Sequence, residues 1–525
     1  WNCDTRMMKK CKAVLGLEGR LGSLILPTLV ILVGAALRFY DLGAESYWYD
    51  EIHTLRVADG GLPRVFSEFL DGDKPPLYLL VMSIWIQLFG TTEVATRSLS
   101  AFVGIASIAL TYKLGQKLFD TRVGILSAAL MALSEFQIWY SQESRYYALH
   151  LLLALLSVLS YIQAMKSPTK RRLAAYAGTT ILMCYAHSSG VFVLAAQGIH
   201  WLITLWRGSS CLRKGVVARL MVTQLLILAV VSPLIIIPMV GARAGTFAVT
   251  HGIPRAGSWM LLLTPLRYVA GEYPGWVTVS AALLALSVGI TTWALLVGRE
   301  KWCEAIWQFP TSLRQLSYRS DQLRLVAIWL VCPILMQWSL SRMLGRMYIF
   351  RYTIGASPSV YLLLAVAFVT SRHLVPEPLL LGAILILAGP GLCTYYGTDT
   401  RENWRGAVAY VEQRVRGSDK VVVPSPVLGK HAFDWYYSGA LQDCEPLDHP
   451  HDQEDILASA GKCARDADRF WLILRMDFVP GRQLNESSWR AAGLRLIERQ
   501  TFKGVLIYLF EVAEETSKLP LHRMR

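Results

Sequence analysis

The sequence predicts a polytopic α-helical membrane protein with about eleven transmembrane helices, juxtamembrane helices in its outer loops and a small C-terminal α/β domain. Three observations predict it. Of 525 residues, 54% are hydrophobic and the mean hydropathy is +0.37, above the apolar usage of soluble domains. Apolar runs near the length a spanning helix needs recur from Leu21 to Tyr396 and then stop. Asp399 to Arg525 carries 18 basic and 19 acidic residues, so the formal charge of +14 belongs to the first part. Basic residues between apolar segments are a topogenic signal, and they exclude a nucleic-acid partner as the reason for the high pI. The domains expected are a cytoplasmic N-terminus (1–20), a transmembrane domain (21–396) and an extracytoplasmic domain (397–525).

The first apolar segment, Leu21 to Phe39, is long and lacks an A-x-A-like exit, so it is expected to remain as a helix. Basic clusters at 6–20, 113–122, 166–172, 207–219 and 299–324 are expected on the cytoplasmic side. Placing them there requires spans near 21–40, 98–115, 123–140, 149–165, 173–189, 190–206, 220–240, 276–298, 325–341, 353–370 and 378–396. Pro75 to Gly90 is left out as a juxtamembrane helix, because it is short, opens with two prolines and would invert every later loop; a twelfth span is the alternative. The protein is then expected in the plasma (inner) membrane, with its N-terminus cytoplasmic and its C-terminal domain extracytoplasmic.

This topology gathers Asp50, Glu51, Asp73, Lys74, Arg97, Glu143, Arg145, His187 and Arg351 on the outer side. Charges near membrane depth are costly, and a convergent set of them marks a site. In the first outer loop, Asp50 and Glu51 follow Tyr47, Trp48 and Tyr49; the packing alternative is an aromatic belt with Asp50 capping a helix.

Four pieces occur in order: Arg38 to Glu51, GDKPPLYLL at 72–80, LFGTTEVATRSLSA at 88–101 and WYSQESRYYALHLLLA at 139–154. YAHSSGVFVL with His187, RYTIGASPSVYLLLA from Arg351 and NWRGAVAYVEQRVRGSDKVVV follow. The set resembles the GT-C membrane glycosyltransferases related to protein O-mannosyltransferases and lipid A aminoarabinose transferases. That resemblance implies the GT-C fold, an outward site, a polyprenyl-phosphate-linked sugar donor, and Asp50 as the catalytic base.

Such chemistry needs a carboxylate within reach of the acceptor nucleophile and cations for the departing phosphate. Phosphate leaves readily, so a second carboxylic acid is not required. Lys74, Arg97, Arg145 and Arg351 are the phosphate candidates; Lys74 sits before Pro75 and Pro76, and the matching family position contacts the donor phosphate. Glu51, Asp73, Tyr146 and His187 are the remaining substrate-binding candidates. Where some relatives carry an acid, this chain has His150. Some relatives bind a divalent metal ion; Asp73 with His251 offers only two ligands, and no metal or cofactor is assigned.

The tail reads helix (403–416), strand (420–423), helix (456–466), strand (470–475) and strand (504–512). No glycine-rich phosphate loop follows a strand, which leaves it acceptor binding or covering of the membrane site. Cys444 and Cys463 are expected to pair if the tail is exported. A transporter or flippase of a lipid-linked or anionic substrate is the competing function, disfavoured because no internal repeat and no mid-span acid is present. The acceptor (glycolipid, polysaccharide or protein), the sugar and the carrier lipid are not specified by the sequence.

Overall fold

A computed structural model describes residues 24–71, 74–206, 214–237, 256–272, 282, 289, 320–345, 348–371, 377–424, 427–441, 453–463, 467–479 and 483–512. The chain divides into two compact units. The first comprises residues 1–40, 57–90 and 95–397, and the second residues 41–56, 91–94 and 398–525.

The first unit is helical. Four helices among the described residues are long and apolar enough to cross a bilayer: Glu93–Leu118, Tyr147–Lys166, Ser320–Met343 and Phe350–Thr370. A fifth span is obtained if Thr121–Leu133 and Glu135–Ser141, bent by 64° at Ser134, are one broken span. Shorter apolar helices cover Leu24–Phe39, Leu77–Phe89, Gly190–Trp206 and Val217–Val231, with further helices at Lys170–Ala186 and Glu377–Gly397. The eleven spans expected are therefore not all reached among the described residues, and most of 276–298 lies outside them. Leu77–Phe89 has 13 residues, about 20 Å of helix, short of the roughly 30 Å hydrocarbon core.

The helices pack through small polar groups as well as apolar ones. Ser157 meets Thr180 at 2.8 Å and accepts from Gln197 at 2.9 Å, and Tyr176 donates to Gln197 at 3.0 Å, the kind of interhelical hydrogen bonding that holds bundles together in lipid. Outward, Leu24, Ile25, Leu29 and Leu32 are exposed, a surface suited to acyl chains.

The break at Ser134 is the part of this unit that most shapes the site. A bend frees carbonyls that have lost their helical donors. The fully buried guanidinium of Arg38 supplies them, donating to Ala132 O at 3.2 Å and Met131 O at 3.3 Å, with Nε on Ser141 Oγ at 3.2 Å. Gly104 permits this approach, because a Cβ there would meet Ser141 Oγ and lie 3.0 Å from Arg38 Nε. Ser134 caps the next helix by accepting from Gln137 N–H at 3.3 Å.

The second unit holds a four-stranded sheet of order β1-β2-β4-β3, with β1 Lys420–Val422, β2 Arg469–Arg475, β3 Leu494–Phe502 and β4 Val505–Val512. β1 runs parallel to β2, and the other pairs are antiparallel. β2 is buried along its centre, as a strand covered on both faces must be, whereas β3 alternates as a half-covered edge does. Phe470, Leu472 and Leu474 of β2 pack with Leu506, Tyr508 and Phe510 of β4 under Ile456, Leu457 and Trp489. Helices Trp404–Glu412 and Val427–Tyr436 belong to the same unit.

Candidate active site

The expected base and its neighbour lie in the second unit. Helix Tyr49–Asp59 opens with Asp50 and Glu51 in its first turn, where carboxylates suit the helix dipole. The helix begins at Tyr49, so Asp50 is not its cap. Capping comes from Glu51, fully buried, whose Oε2 accepts the Trp48 N–H at 3.4 Å, half of a capping box. Asp50 itself is half-buried, and its carbonyl accepts from Thr54 Oγ1 at 2.8 Å. The aromatic residues before it serve packing: Tyr47 is buried, donates through its hydroxyl to Thr91 O at 2.9 Å, and stacks on Tyr436 at 6.4 Å.

In the first unit the structure brings Arg145, Tyr146, His187 and Arg351 together around Tyr147. The guanidinium of Arg145 lies 4.6 Å from the Tyr146 ring centroid and 5.9 Å from that of Tyr147, and Arg351 lies 5.8 Å from the Tyr147 centroid. Guanidinium faces on rings gain about 0.5–2 kcal/mol. Arg145 Nη2 also donates to Tyr146 Oη at 3.2 Å. The His187 ring packs at a tilt against Tyr146 at 4.7 Å and Tyr352 at 5.0 Å. Its Nδ1 accepts the Ser189 N–H at 3.1 Å, which assigns the neutral-ring proton to Nε2. Ser189 Oγ in turn lies 3.4 Å from His150 Nε2, so the residue standing where some relatives carry an acid supports His187.

Arg145 is fastened to the Arg97 turn. Ser144 Oγ donates to Thr96 Oγ1 at 2.8 Å, and Ser100 Oγ to Arg145 O at 3.4 Å. Arg97 between them is fully buried, which removes membrane-edge snorkelling as its reason for being there. Gln142 caps helix Leu24–Phe39 by donating to Arg38 O at 3.1 Å and Tyr40 O at 2.8 Å, while accepting from Tyr395 at 2.6 Å. Glu143 accepts from Trp139 Nε1 at 2.7 Å. Lys74 is half-buried in the turn before helix Leu77–Phe89.

The sequence reading missed an acidic group beside this cluster. Glu272 accepts from Tyr140 Oη, pairs with Arg267 at 3.2 Å, and gives its N–H to Glu135 Oε2 at 2.6 Å. Gly271 makes this possible: its φ is +96°, and a Cβ would collide with the Glu135 carboxylate. Burial raises the Glu272 carboxyl above its ordinary value, against the hydrogen bond from Tyr140 and the charges of Arg267 and Arg351. An acid between glycine and aromatic residues, in the AGEYPG stretch, was the available signal.

Asp73, His251 and Cys444 lie outside the described residues; Cys463 closes helix Gln453–Cys463, but its side chain is not described. The two-residue metal suggestion and the disulfide therefore fall outside what the structure describes. Among the described residues no group of three or more His, Cys, Asp or Glu side chains is arranged to hold a metal ion.

Residues 73–237 match the family described as dolichyl-phosphate-mannose-protein mannosyltransferase. An uncharacterized protein of Aquifex aeolicus (strain VF5) is 26% identical over 114 residues, 20% of this chain and 23% of that protein. The chain thus aligns with about a quarter of that curated relative. The fold matches ArnT of Cupriavidus metallidurans bound to undecaprenyl phosphate, with a TM-score of 0.56 at 11% identity over 92% of this chain and 97% of that one. It also matches the Archaeoglobus fulgidus oligosaccharyltransferase in complex with zinc and sulfate (TM-score 0.52, 13% identity, 95% of this chain and 74% of that one). The archaeal oligosaccharyltransferase AglB from Archaeoglobus fulgidus, in complex with an inhibitory peptide and a dolichol-phosphate, gives a TM-score of 0.52 at 11% identity, over 96% of this chain and 75% of that one. In sequence over residues 73–237 and in fold over nearly its whole length, this integral membrane protein is similar to the GT-C glycosyltransferases.

Proposed function

We propose that the protein transfers a sugar from a polyprenyl-phosphate-linked donor to a cell-envelope acceptor (a glycolipid, a polysaccharide or a protein) on the outer face of the membrane, with inversion. The observation that carries this reading is the pair of guanidinium groups, Arg145 and Arg351, on the Tyr146–Tyr147 rings, with Arg145 inside the stretch that matches the mannosyltransferase family. ArnT with undecaprenyl phosphate and AglB with dolichol-phosphate support a lipid-phosphate carrier.

In the proposed reaction the Asp50 carboxylate takes the proton of the acceptor hydroxyl as its oxygen attacks the anomeric carbon. The bond from that carbon to the phosphate oxygen breaks, and the lipid phosphate leaves with the electron pair. Arg145 and Arg351, with Lys74 and Arg97, stabilise the developing charge. Tyr146, His187, Glu51 and Asp73 are the proposed substrate-binding residues. A single displacement inverts the anomeric centre, and the raised Glu272 is not required for it.

The test is transfer of labelled sugar from a panel of polyprenyl-phosphate sugars into a membrane extract, by wild type and by Asp50→Asn. Loss of transfer in the variant with donor binding retained supports both the reaction and the base. Equal transfer removes Asp50 from that role, and no transfer from any donor by the wild type turns the reading toward transport.

A further inference from the structure

Residues 41–56 belong to the same compact unit as the C-terminal part of the chain, 398–525, and the contacts between them flank Asp50. On the N-terminal side, the Tyr436 hydroxyl accepts the Tyr47 N–H at 2.7 Å and donates to Glu93 Oε1 at 2.8 Å. Its ring stacks on Tyr47, and Trp435 meets the same ring edge-on at 6.1 Å. On the C-terminal side, Arg56 Nη2 donates to Asp434 Oδ2 at 3.1 Å and to His431 O at 3.2 Å. All four of these residues lie on helix Val427–Tyr436. One helix therefore grips the 47–56 stretch at both ends, and Asp50 and Glu51 lie between the two grips. Upstream, Ser46 Oγ donates to Glu402 O at 2.6 Å and accepts the Trp404 N–H at 3.0 Å, which extends the attachment.

We propose that helix Val427–Tyr436 is the element that positions Asp50, with Tyr436 as its principal positioning residue. The inference deepens the proposed function and rests on it. Tyr47 is three residues before Asp50, and Trp48, directly after it, is the cap whose N–H is held by Glu51. A shift of the Tyr47 backbone therefore reaches the first helical turn through one peptide unit and its cap. Displacements near 1 Å at a reacting group can cost about a hundredfold in rate without touching substrate affinity. The tail thus has a part in the reaction that its lack of a phosphate loop or acid pair does not suggest, and an acceptor bound to it can act on the base through this helix.

Tyr436→Phe keeps the ring stacking and removes the acceptor of the Tyr47 N–H and the donor to Glu93. Two measurements on the full-length protein in lipid nanodiscs decide the matter. Amide hydrogen exchange should accelerate over residues 47–52 in the variant, and kcat should fall between about tenfold and a hundredfold with the donor KM unchanged. Asp434→Asn, which weakens the other grip, should show the same split to a smaller degree. Unchanged exchange over 47–52, or a kcat within twofold of wild type beside an inactive Asp50→Asn, overturns the inference and leaves the proposed function standing. A donor KM that rises with kcat constant also overturns it. If the wild type transfers no sugar, the proposed function has failed, and exchange alone decides whether the helix holds the segment.

Discussion

Two sets of arginines, one from each unit, are held in opposite ways. In the first unit, Arg38, Arg97 and Arg145 are almost wholly buried, and Arg38 is held by backbone carbonyls and a hydroxyl. In the second unit, Arg405, Arg490 and Arg495 have side chains 45–74% exposed and pair with carboxylates. The difference follows from the surroundings. A guanidinium taken out of water must have its charge and its N–H groups met by fixed dipoles, whereas an exposed one is solvated whether or not its partner is present. A buried arginine is consequently either a structural brace or a site, and an exposed one is neither by default.

The contrast is tested most severely at Arg145 and Arg351. If they face the departing phosphate, Arg145→Ala and Arg351→Ala should each lower kcat by about 10²–10³, the cost of removing one preorganised donor. Lysine at either position should recover only part of it, since an ammonium neither stacks on Tyr147 nor offers two parallel N–H groups. Transfer at the wild-type rate in both alanine variants would return the pair to packing and break the comparison on the functional side.

Arg38 tests its structural side. Arg38→Met keeps the length of the side chain but leaves the carbonyls of Met131 and Ala132 at the bend without their donors. Each buried acceptor left unmade costs about 1–3 kcal/mol, so the Tm in detergent should fall by several degrees. Arg490→Ala, which breaks an exposed pair with Glu486, should change Tm by less than the scatter between preparations, because such pairs contribute about 0.3–0.5 kcal/mol. Equal shifts for the two would mean that burial does not separate these arginines.

Sequence logic reached the membrane cluster because charge is conspicuous against an apolar background: Arg145 and Arg351 stand out at the ends of hydrophobic runs. The packing alternative for Asp50, a cap on a helix beginning at Glu51, fails because the helix starts two residues earlier, at Tyr49, with the Trp48 N–H met by Glu51. Glu272 escaped notice because its partners, Glu135 and Tyr140, are more than 125 residues away and no periodicity links a loop to a helix break. Strand β3, exposed on alternate residues and rich in charge, carries too weak an apolar pattern to separate from a loop. The helix Val427–Tyr436 was missed likewise, and with it the residues that hold the 47–56 stretch, because hydrogen bonds such as that of Tyr436 to Tyr47 leave no trace in local pattern.

The smallest effect expected is a pH dependence within the second unit, where an exposed-type ion pair has a titratable neighbour. Burial lowers the His431 pKa, helped by the positive charges of Arg56, His53 and Lys430 and opposed by Asp434. Its Nδ1 is buried with no hydrogen-bond partner among the described residues. A histidine whose folded pKa lies below its ordinary value, about 6.5, binds protons more readily in the unfolded chain. Its contribution to stability is fully present above that ordinary value and is lost as pH falls through the folded one. The Arg56 grip on helix Val427–Tyr436 should therefore loosen on acidification from pH 7 to about 5, with exchange rising over residues 53–56 beyond its intrinsic pH trend. His431→Gln, which keeps the polar volume and cannot titrate, should flatten that response. A response identical in wild type and variant would place the pH dependence elsewhere and leave the arginine contrast resting on burial alone.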